Sequence, residues 1–221
     1  METGRRDFLT TLGVATIGSA GLALLDTPPL AAQQAAGYWD LSWTGRLTGT
    51  HRAVFDIPAI EDGYGVWRSV LWRKQYSQVF GIPESEMTAV LNIRHDGIAL
   101  VMNQEFWAKY GVAREWDVKD PLTRQETSRN PVIDRTGAFA LPGEYADFSL
   151  EALMNRGGIV LACALALRDC ASLVSEQEKL AMGEADRRVR EMVLPGVIIQ
   201  PSGIFAAVLA QENGCQFVRA S

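Results

Sequence analysis

Four apolar runs that we predict as β-strands each end on, or lead into, a residue that can do chemistry. These runs are HRAVFDIP (51–58), MTAVLNIRH (87–95), IVLAC (159–163) and GVIIQ (196–200). The candidate residues at their carboxyl ends are Asp56, His95, Cys163, Ser202 and Gly203. Ligands of open parallel α/β sheets bind outside the carboxyl ends of the strands, so these five residues form our candidate site.

Cys163 is the candidate nucleophile of this set. Both a helix N-terminus and a nearby imidazolium favour the thiolate form of a cysteine, and a helix is predicted to begin just after Cys163. Such a thiolate can attack sulfane sulfur, carry a persulfide or ligate a soft metal. The alternative is a packing role, because free cysteine is among the most buried residue types.

The other candidates each have a functional and a structural interpretation. His95 can act as an acid, a base or an anion-binding group, or it can cap the next helix or bond a backbone carbonyl. The PSGIF sequence can hold an anion on the backbone amides of Ser202 and Gly203 at a helix start. Alternatively, Ser202 serves only as the N-cap of that helix.

Several kinds of chemistry are not supported by the sequence. Cys170 follows Cys163 by two helical turns, about 10 Å, whereas a disulfide needs Cα atoms within about 7 Å. We therefore predict Cys170 to be a core residue and Cys215 to lie at the opposite edge of the sheet from Cys163.

Metal-ligand spacing, nucleotide-binding glycine motifs and a G-x-S-x-G elbow are missing, so neither a metal nor another cofactor is expected. The net charge of −5 without a basic block argues against nucleic acid as a partner.

The elements that must position these residues alternate along the chain. Helical patterns separate the four strands, and a fifth strand, CQFVRA (215–220), ends the chain. This order predicts a three-layer α/β/α sandwich around a mostly parallel, five-stranded sheet. Residues 112–147 show little periodicity and are predicted to be a loop insertion, of the kind that forms lids, binding loops or oligomer contacts.

The N-terminus has the pattern of a targeting segment. Arg5 and Arg6 precede Phe8 and Leu9, a mildly apolar run follows, and small residues come after it. The segment resembles a twin-arginine (Tat) export signal, and its apolar run is shorter than the roughly 20 residues of a membrane span. The alternatives are an N-terminal membrane anchor and a core helix. We expect an exported or periplasmic protein without a membrane span once the signal is cleaved.

The predicted organisation therefore has three parts. Residues 1–36 are the signal peptide and its cleavage region, and residues 37–49 are an N-terminal strap or linker. Residues 50–221 form the α/β domain, with its insertion at 112–147.

Three blocks of this domain resemble the DsrE/DsrF-like family, in a version that carries an export signal. The blocks are VLNIRHDGIALVMN, LMNRGGIVLACALALRD and LPGVIIQPSGIFAAVLAQENGCQFVRA. The resemblance implies a small α/β fold that forms homo-oligomers, often trimers or hexamers. It also implies that Cys163 is the sulfur-binding cysteine, with His95 beside it in the crevice.

Three functional hypotheses follow from these observations. The first is an exported carrier or sulfurtransferase that takes sulfane sulfur on Cys163 from a donor and gives it to an acceptor, with His95 tuning the ionisation of the thiol. The second is a non-catalytic periplasmic binding or assembly subunit, in which Cys163 is only packed and residues 112–147 make the protein contact. The third is a small-molecule pocket closed by residues 112–147, using Phe106, Trp107 and Trp116.

Overall fold

The computed structural model describes residues 39–119, 124–133 and 148–221. The five strands are β1 (His51–Ile57), β2 (Met87–Ile93), β3 (Ile159–Cys163), β4 (Ile198–Gln200) and β5 (Gln216–Arg219). The α-helices are α1 (Tyr64–Phe80), α2 (Gln104–Lys109), α3 (Val112–Glu115), α4 (Leu150–Asn155), α5 (Ala164–Glu178), α6 (Met182–Glu191) and α7 (Gly203–Glu212). Short 3₁₀ helices cover Ser42–Arg46, Glu61–Gly63, Glu84–Glu86 and His95–Val101.

The five strands form one sheet in the order β4-β3-β2-β1-β5, and every neighbouring pair is parallel. The register places Asp56 beside Asn92 and Cys163 beside Gln200. The predicted three-layer α/β/α class with a five-stranded sheet is therefore confirmed. The sheet is parallel throughout, which is why its central strands β2 and β3 are buried on both faces.

The handedness of the connections decides which face each helix covers. The chain steps through β1, β2, β3 and β4 in one direction across the sheet, and then returns to place β5 beside β1. Because β-α-β crossovers are right-handed, the first three connections must lie on one face and the last on the other. In agreement, α1 and α5 pack on the face of Phe55 and Leu91, whereas α7 packs on the face of Val54 and Val90.

The two faces have cores of very different size. The face covered by α1 and α5 holds the large core, which continues into the 3₁₀ helix His95–Val101 and the buried aromatic residues of α2. The opposite core is small and depends on α7 and on Trp43, which is completely buried. Trp43 lies in the 3₁₀ helix Ser42–Arg46, so the residues just before β1 pack onto the sheet.

β1, β3 and β5 agree with the predicted strands to within one residue at each end, whereas β2 and β4 each differ by two residues at one end. β2 ends at Ile93, so His95 is not in the strand but begins the following 3₁₀ helix with a φ of 50°. α5 ends before Lys179, which adopts a left-handed conformation, and α6 begins at Met182. β4 begins at Ile198, two residues later than the predicted strand.

Part of the predicted insertion is well packed. α3 forms at its start, and Asn130 donates hydrogen bonds of 2.8 Å to the carbonyl oxygens of both Leu100 and Met102. Residues 120–123 and 134–147 of the insertion lie outside the described residues, as do the predicted signal peptide 1–36 and the next two residues. Within the described ranges, no helix is both long and apolar enough to cross a membrane.

Gly97 allows the chain after β2 to cross closely over the end of β1. Its amide donates to the carbonyl oxygen of Pro58 at 3.1 Å, and the amide of Arg94 donates to that of Ile57, also at 3.1 Å. A Cβ atom on Gly97 would lie 2.4 Å from the carbonyl oxygen of Ile57. This backbone contact cannot be relieved by moving a side chain, so position 97 requires glycine.

We expect Gly97→Ala to lower the free energy of unfolding by about 1–3 kcal/mol, since the added methyl overpacks a rigid backbone contact. Gly183→Ala is the matched control, because a Cβ atom on Gly183 in α6 meets nothing within 4 Å. That control should leave stability unchanged or raise it by up to about 1 kcal/mol. Urea unfolding measures both variants, and equal effects would contradict the close approach at Gly97.

Candidate active site

A cavity of about 220 Å³ opens at the carboxyl end of the sheet. The chain leaves β3 toward the face of α5 and leaves β4 toward the face of α7, so a crevice must form between these two strand ends. The cavity occupies this crevice. Its lining consists of Arg94, His95, Cys163, Leu165, Ala166, Asp169, Ser202, Gly203 and Ile204.

Cys163 lies at the junction of strand and helix. It is the last residue of β3 and the N-cap residue of α5, and its side chain makes no capping hydrogen bond. The residue is only 6% exposed, yet it lines the cavity. The first amides of α5, which lack intrahelical acceptors, therefore surround the position of the thiol with partial positive charge.

The cationic group of the cavity is Arg94, which the sequence did not single out. Its Nε and Nη2 atoms donate to Oδ1 and Oδ2 of buried Asp56 at 2.8 and 2.7 Å, a bidentate pair. Asn92 supports the same carboxylate, since its Nδ2 donates to Oδ1 of Asp56 at 2.9 Å. The signal that could have found these residues is a polar Asn92 inside an otherwise apolar buried strand, followed two residues later by Arg94 at the strand end.

Arg94 keeps its positive charge near the thiol. The pKa of its guanidinium is raised, chiefly by the hydrogen bonds to Asp56. Partial burial opposes this rise in pKa, while the negative charges of Asp56 and of ionised Cys163 add to it. Arg94 and Cys163 line the same cavity, so a lasting positive charge is available to an anionic ligand there.

Gly203 gives Arg94 the space it needs. A Cβ atom on Gly203 would lie 2.5 Å from Cδ of Arg94 and 2.8 Å from its Cβ. The carbonyl oxygen of Gly203 also accepts a 3.0 Å hydrogen bond from Nδ2 of Asn92, which ties the start of α7 to β2. Ser202 caps α7, because its Oγ accepts from the amide of Phe205 at 3.1 Å.

The structure brings four of the five predicted site residues to one cavity. Cys163, His95, Ser202 and Gly203 all line it, and His95 is exposed there with its left-handed backbone. Asp56 does not line the cavity. It pairs with Arg94 and, through Asn92, is connected to Gly203, both of which line the cavity.

The other two cysteines have different surroundings. Cys170 is completely buried, and burial raises the pKa of its thiol to about 12, with the charge of Asp169 contributing. Cys215 is buried just before β5, at the amino end of the sheet, and burial raises its pKa while Arg52 opposes that rise. All three cysteines are free, and only Cys163 lines the cavity.

The residues of the aromatic-pocket hypothesis are not arranged around one open cavity. Phe106 and Trp107 are fully buried in the large core, and Nε1 of Trp107 donates to the carbonyl oxygen of Ala99 at 2.7 Å. Trp116 lines a separate cavity of about 180 Å³ together with Asp62, Asp96 and other residues. Among the described residues, no group of three or more histidine, cysteine or acidic side chains is arranged to hold a metal ion.

Comparison of the chain with protein-family models, with curated proteins and with solved structures found no match.

We expect Asp56→Asn to lower the free energy of unfolding by about 1–3 kcal/mol, because the partly buried guanidinium of Arg94 loses its counter-charge and its charge-assisted hydrogen bonds are weakened. The matched control is Asp62→Asn. Asp62 also pairs with an arginine, Arg124, at 3.3 Å, but that guanidinium is mostly exposed. The control should change stability by less than about 0.5 kcal/mol. Urea unfolding compares the two, and a small effect at Asp56 would show that the pair does not hold the site.

Proposed function

We propose that this protein takes up sulfane sulfur on Cys163 and passes it to an acceptor thiol. The observation that carries the proposal is the position of Cys163, which ends β3, directly precedes α5 and lines a cavity together with Arg94. Reactive cysteines are found at helix N-termini and near cationic side chains, and a cysteine in a cavity can be reached by a sulfur donor. The DsrE-like sequence blocks support the same assignment.

The transfer needs no external oxidant. The Cys163 thiolate attacks the outer sulfur of a donor R–S–SH and forms a new S–S bond. The donor's own S–S bond breaks, and its electron pair leaves with R–S⁻. An acceptor thiolate then attacks the outer sulfur of the Cys163 persulfide, takes that sulfur and returns Cys163 as a thiolate.

We assign His95 to proton transfer and ionisation at the mouth of this cavity. It lines the cavity with Cys163 and is exposed to solvent, and imidazole is a common general acid and base in proteins. A protonated imidazole would add positive charge near the thiolate and could give its proton to the leaving thiolate R–S⁻. The backbone of His95 is left-handed, and it lies between Arg94 and Gly97, whose amides donate to carbonyl oxygens at the end of β1. These hydrogen bonds fix the point at which the His95 side chain leaves the backbone.

We further propose that the protein acts after export. The paired arginines Arg5 and Arg6, followed by Phe8 and Leu9, support a twin-arginine signal. This route would deliver the protein to the periplasm. That compartment is oxidising, so donor and acceptor thiols there need a protected site for exchange, and a buried thiol in a cavity suits this need.

Treatment of the purified protein with polysulfide should add the mass of one sulfur atom, detected by intact mass spectrometry. We expect Cys163→Ser to abolish the adduct, because the nucleophile is gone. The control is Cys215→Ser, which should retain the adduct since Cys215 lies at the far end of the sheet. If the folded wild type takes up no sulfur and Cys163 resists alkylation until denaturation, the carrier proposal is wrong.

A second candidate function, a binding or assembly subunit, is favoured by the outer surface of α7. Ile204, Phe205 and Val208 are 76%, 39% and 48% exposed, so this helix is apolar on its solvent side as well as on its core side. Leu165, also exposed, lies at the mouth of the same cavity. Exposed apolar clusters of this kind mark protein contacts. We propose that this surface joins copies of the chain in a homo-oligomer of trimer or hexamer size.

Val208→Lys should shift the protein from an oligomer to a smaller species, because it places a charge in the apolar α7 surface. Light scattering after size exclusion measures the mass. Val79→Lys is the matched control: Val79 is 71% exposed but lies on α1, on the opposite face of the sheet. A wild type that is monomeric at all concentrations would overturn the assembly proposal.

A further inference from the structure

We propose that the first turn of α7 forms a subsite for the outer, negatively charged sulfur of a persulfide on Cys163. This inference rests on the proposed sulfur-carrier function and adds the group that receives the transferred atom. It gives the two helix N-termini at the cavity separate tasks. The start of α5 faces the sulfur of Cys163 itself, and the start of α7 faces the sulfur that is added.

The first turn of α7 has backbone N–H groups that lack a hydrogen-bond acceptor in the described part of the chain. In a ten-residue α-helix the first amides have no intrahelical acceptor. Here Oγ of Ser202 accepts from the amide of Phe205, and the carbonyl oxygen of Ser202 accepts from the amide of Ala206. The amides of Gly203 and Ile204 find no acceptor among the described residues, and both residues line the cavity.

A second observation comes from Cys163 itself. The residue is only 6% exposed, and its thiol makes no capping hydrogen bond to the amides of α5. Its neighbour in the sheet register is Gln200, and Ser202 follows Gln200 by two residues. Since Cys163 lines the same cavity as Gly203 and Ile204, we infer that an atom bonded to its sulfur enters this cavity near the start of α7.

The charged side chains around the cavity explain why the backbone amides of α7 are needed to bind an anionic sulfur. Arg94 is neutralised from behind by Asp56, and Asp169 on α5 is a solvent-exposed carboxylate at the lining. His95 is the other titratable side chain besides Cys163 itself. The ionised side chains therefore give no net positive charge. The helix amides remain the uncompensated positive partners, and they act at hydrogen-bond range, where the exposed carboxylate is screened by water.

The ligand chemistry matches this environment. A persulfide is a stronger acid than the thiol from which it forms, so its outer sulfur is an anion at neutral pH. Binding of that anion by α7 would stabilise the loaded protein relative to the free thiolate. The amides of α7 should thus control how much sulfur Cys163 retains, but not how fast its own thiol reacts.

The test replaces one amide and keeps the rest of the site. Ile204→Pro removes the amide hydrogen at the second position of α7, where proline is tolerated in a helix. Ile204→Ala is the matched control, because it shortens the same exposed side chain and keeps the amide. At limiting polysulfide, we expect about fivefold less Cys163 persulfide in Ile204→Pro than in Ile204→Ala, as loss of one helix-terminal donor to an anion implies. The alkylation rate of the unloaded Cys163 thiol is measured in each variant, and loading is compared after correction for any difference in that rate.

The pH dependence of alkylation of the loaded protein gives a second readout that does not depend on a variant that folds. In the wild type, we expect the persulfide to titrate at lower pH than free cysteine persulfide, and in Ile204→Pro this difference should shrink. Equal loading of the two Ile204 variants, or a wild-type persulfide that titrates like the free compound, would overturn the subsite while leaving the carrier function intact. A wild type that takes up no sulfur would instead overturn the proposed function.

Discussion

The candidate site depends on one buried ion pair, that of Asp56 with Arg94. Asp56 lies on β1, Arg94 follows β2, and Asn92 connects the carboxylate to the first residue of α7. One carboxylate thus connects β1, the carboxyl end of β2 and, through Asn92, the start of α7. A buried carboxylate is costly without partners, so the sheet can only close here if Arg94 extends across the end of β1. The pairing with Asp56 therefore holds the guanidinium of Arg94 at the cavity that Cys163 lines.

The cavity itself follows from the handedness of the chain. The connections after β1, β2 and β3 lie on one face, and the connection after β4 lies on the other, so β3 and β4 diverge at their carboxyl ends. The first turns of α5 and α7 therefore point into the same space from opposite faces. The layer formed by α7 and Trp43 is thin, and it leaves apolar side chains of α7 at the surface close to the cavity mouth.

The three cysteines show how one residue type receives different properties from its place in one sheet. Cys163 ends β3 at the carboxyl edge and meets a helix N-terminus and a cation. Cys170 lies in the core side of α5, where burial keeps the thiol protonated. Cys215 begins the turn into β5 at the amino edge, far from the cavity. Among the three cysteines, Cys163 alone lines the cavity, and it does so at a helix N-terminus and together with Arg94.

The sequence by itself determined the layer class, the five strands and the strand ends that carry Cys163, Ser202 and Gly203, because alternating apolar runs, capping residues and glycines act locally. It also indicated that Cys170 and Cys215 are set apart from Cys163. Only the tertiary structure decided the roles of Asn92, Arg94 and Asp56, since a salt bridge between strands depends on which strands are neighbours and on their register. It likewise moved His95 out of β2, because the close crossing at Gly97 over β1 ends that strand early. Local patterns specify elements, whereas the identity of a side chain's partners depends on long-range packing.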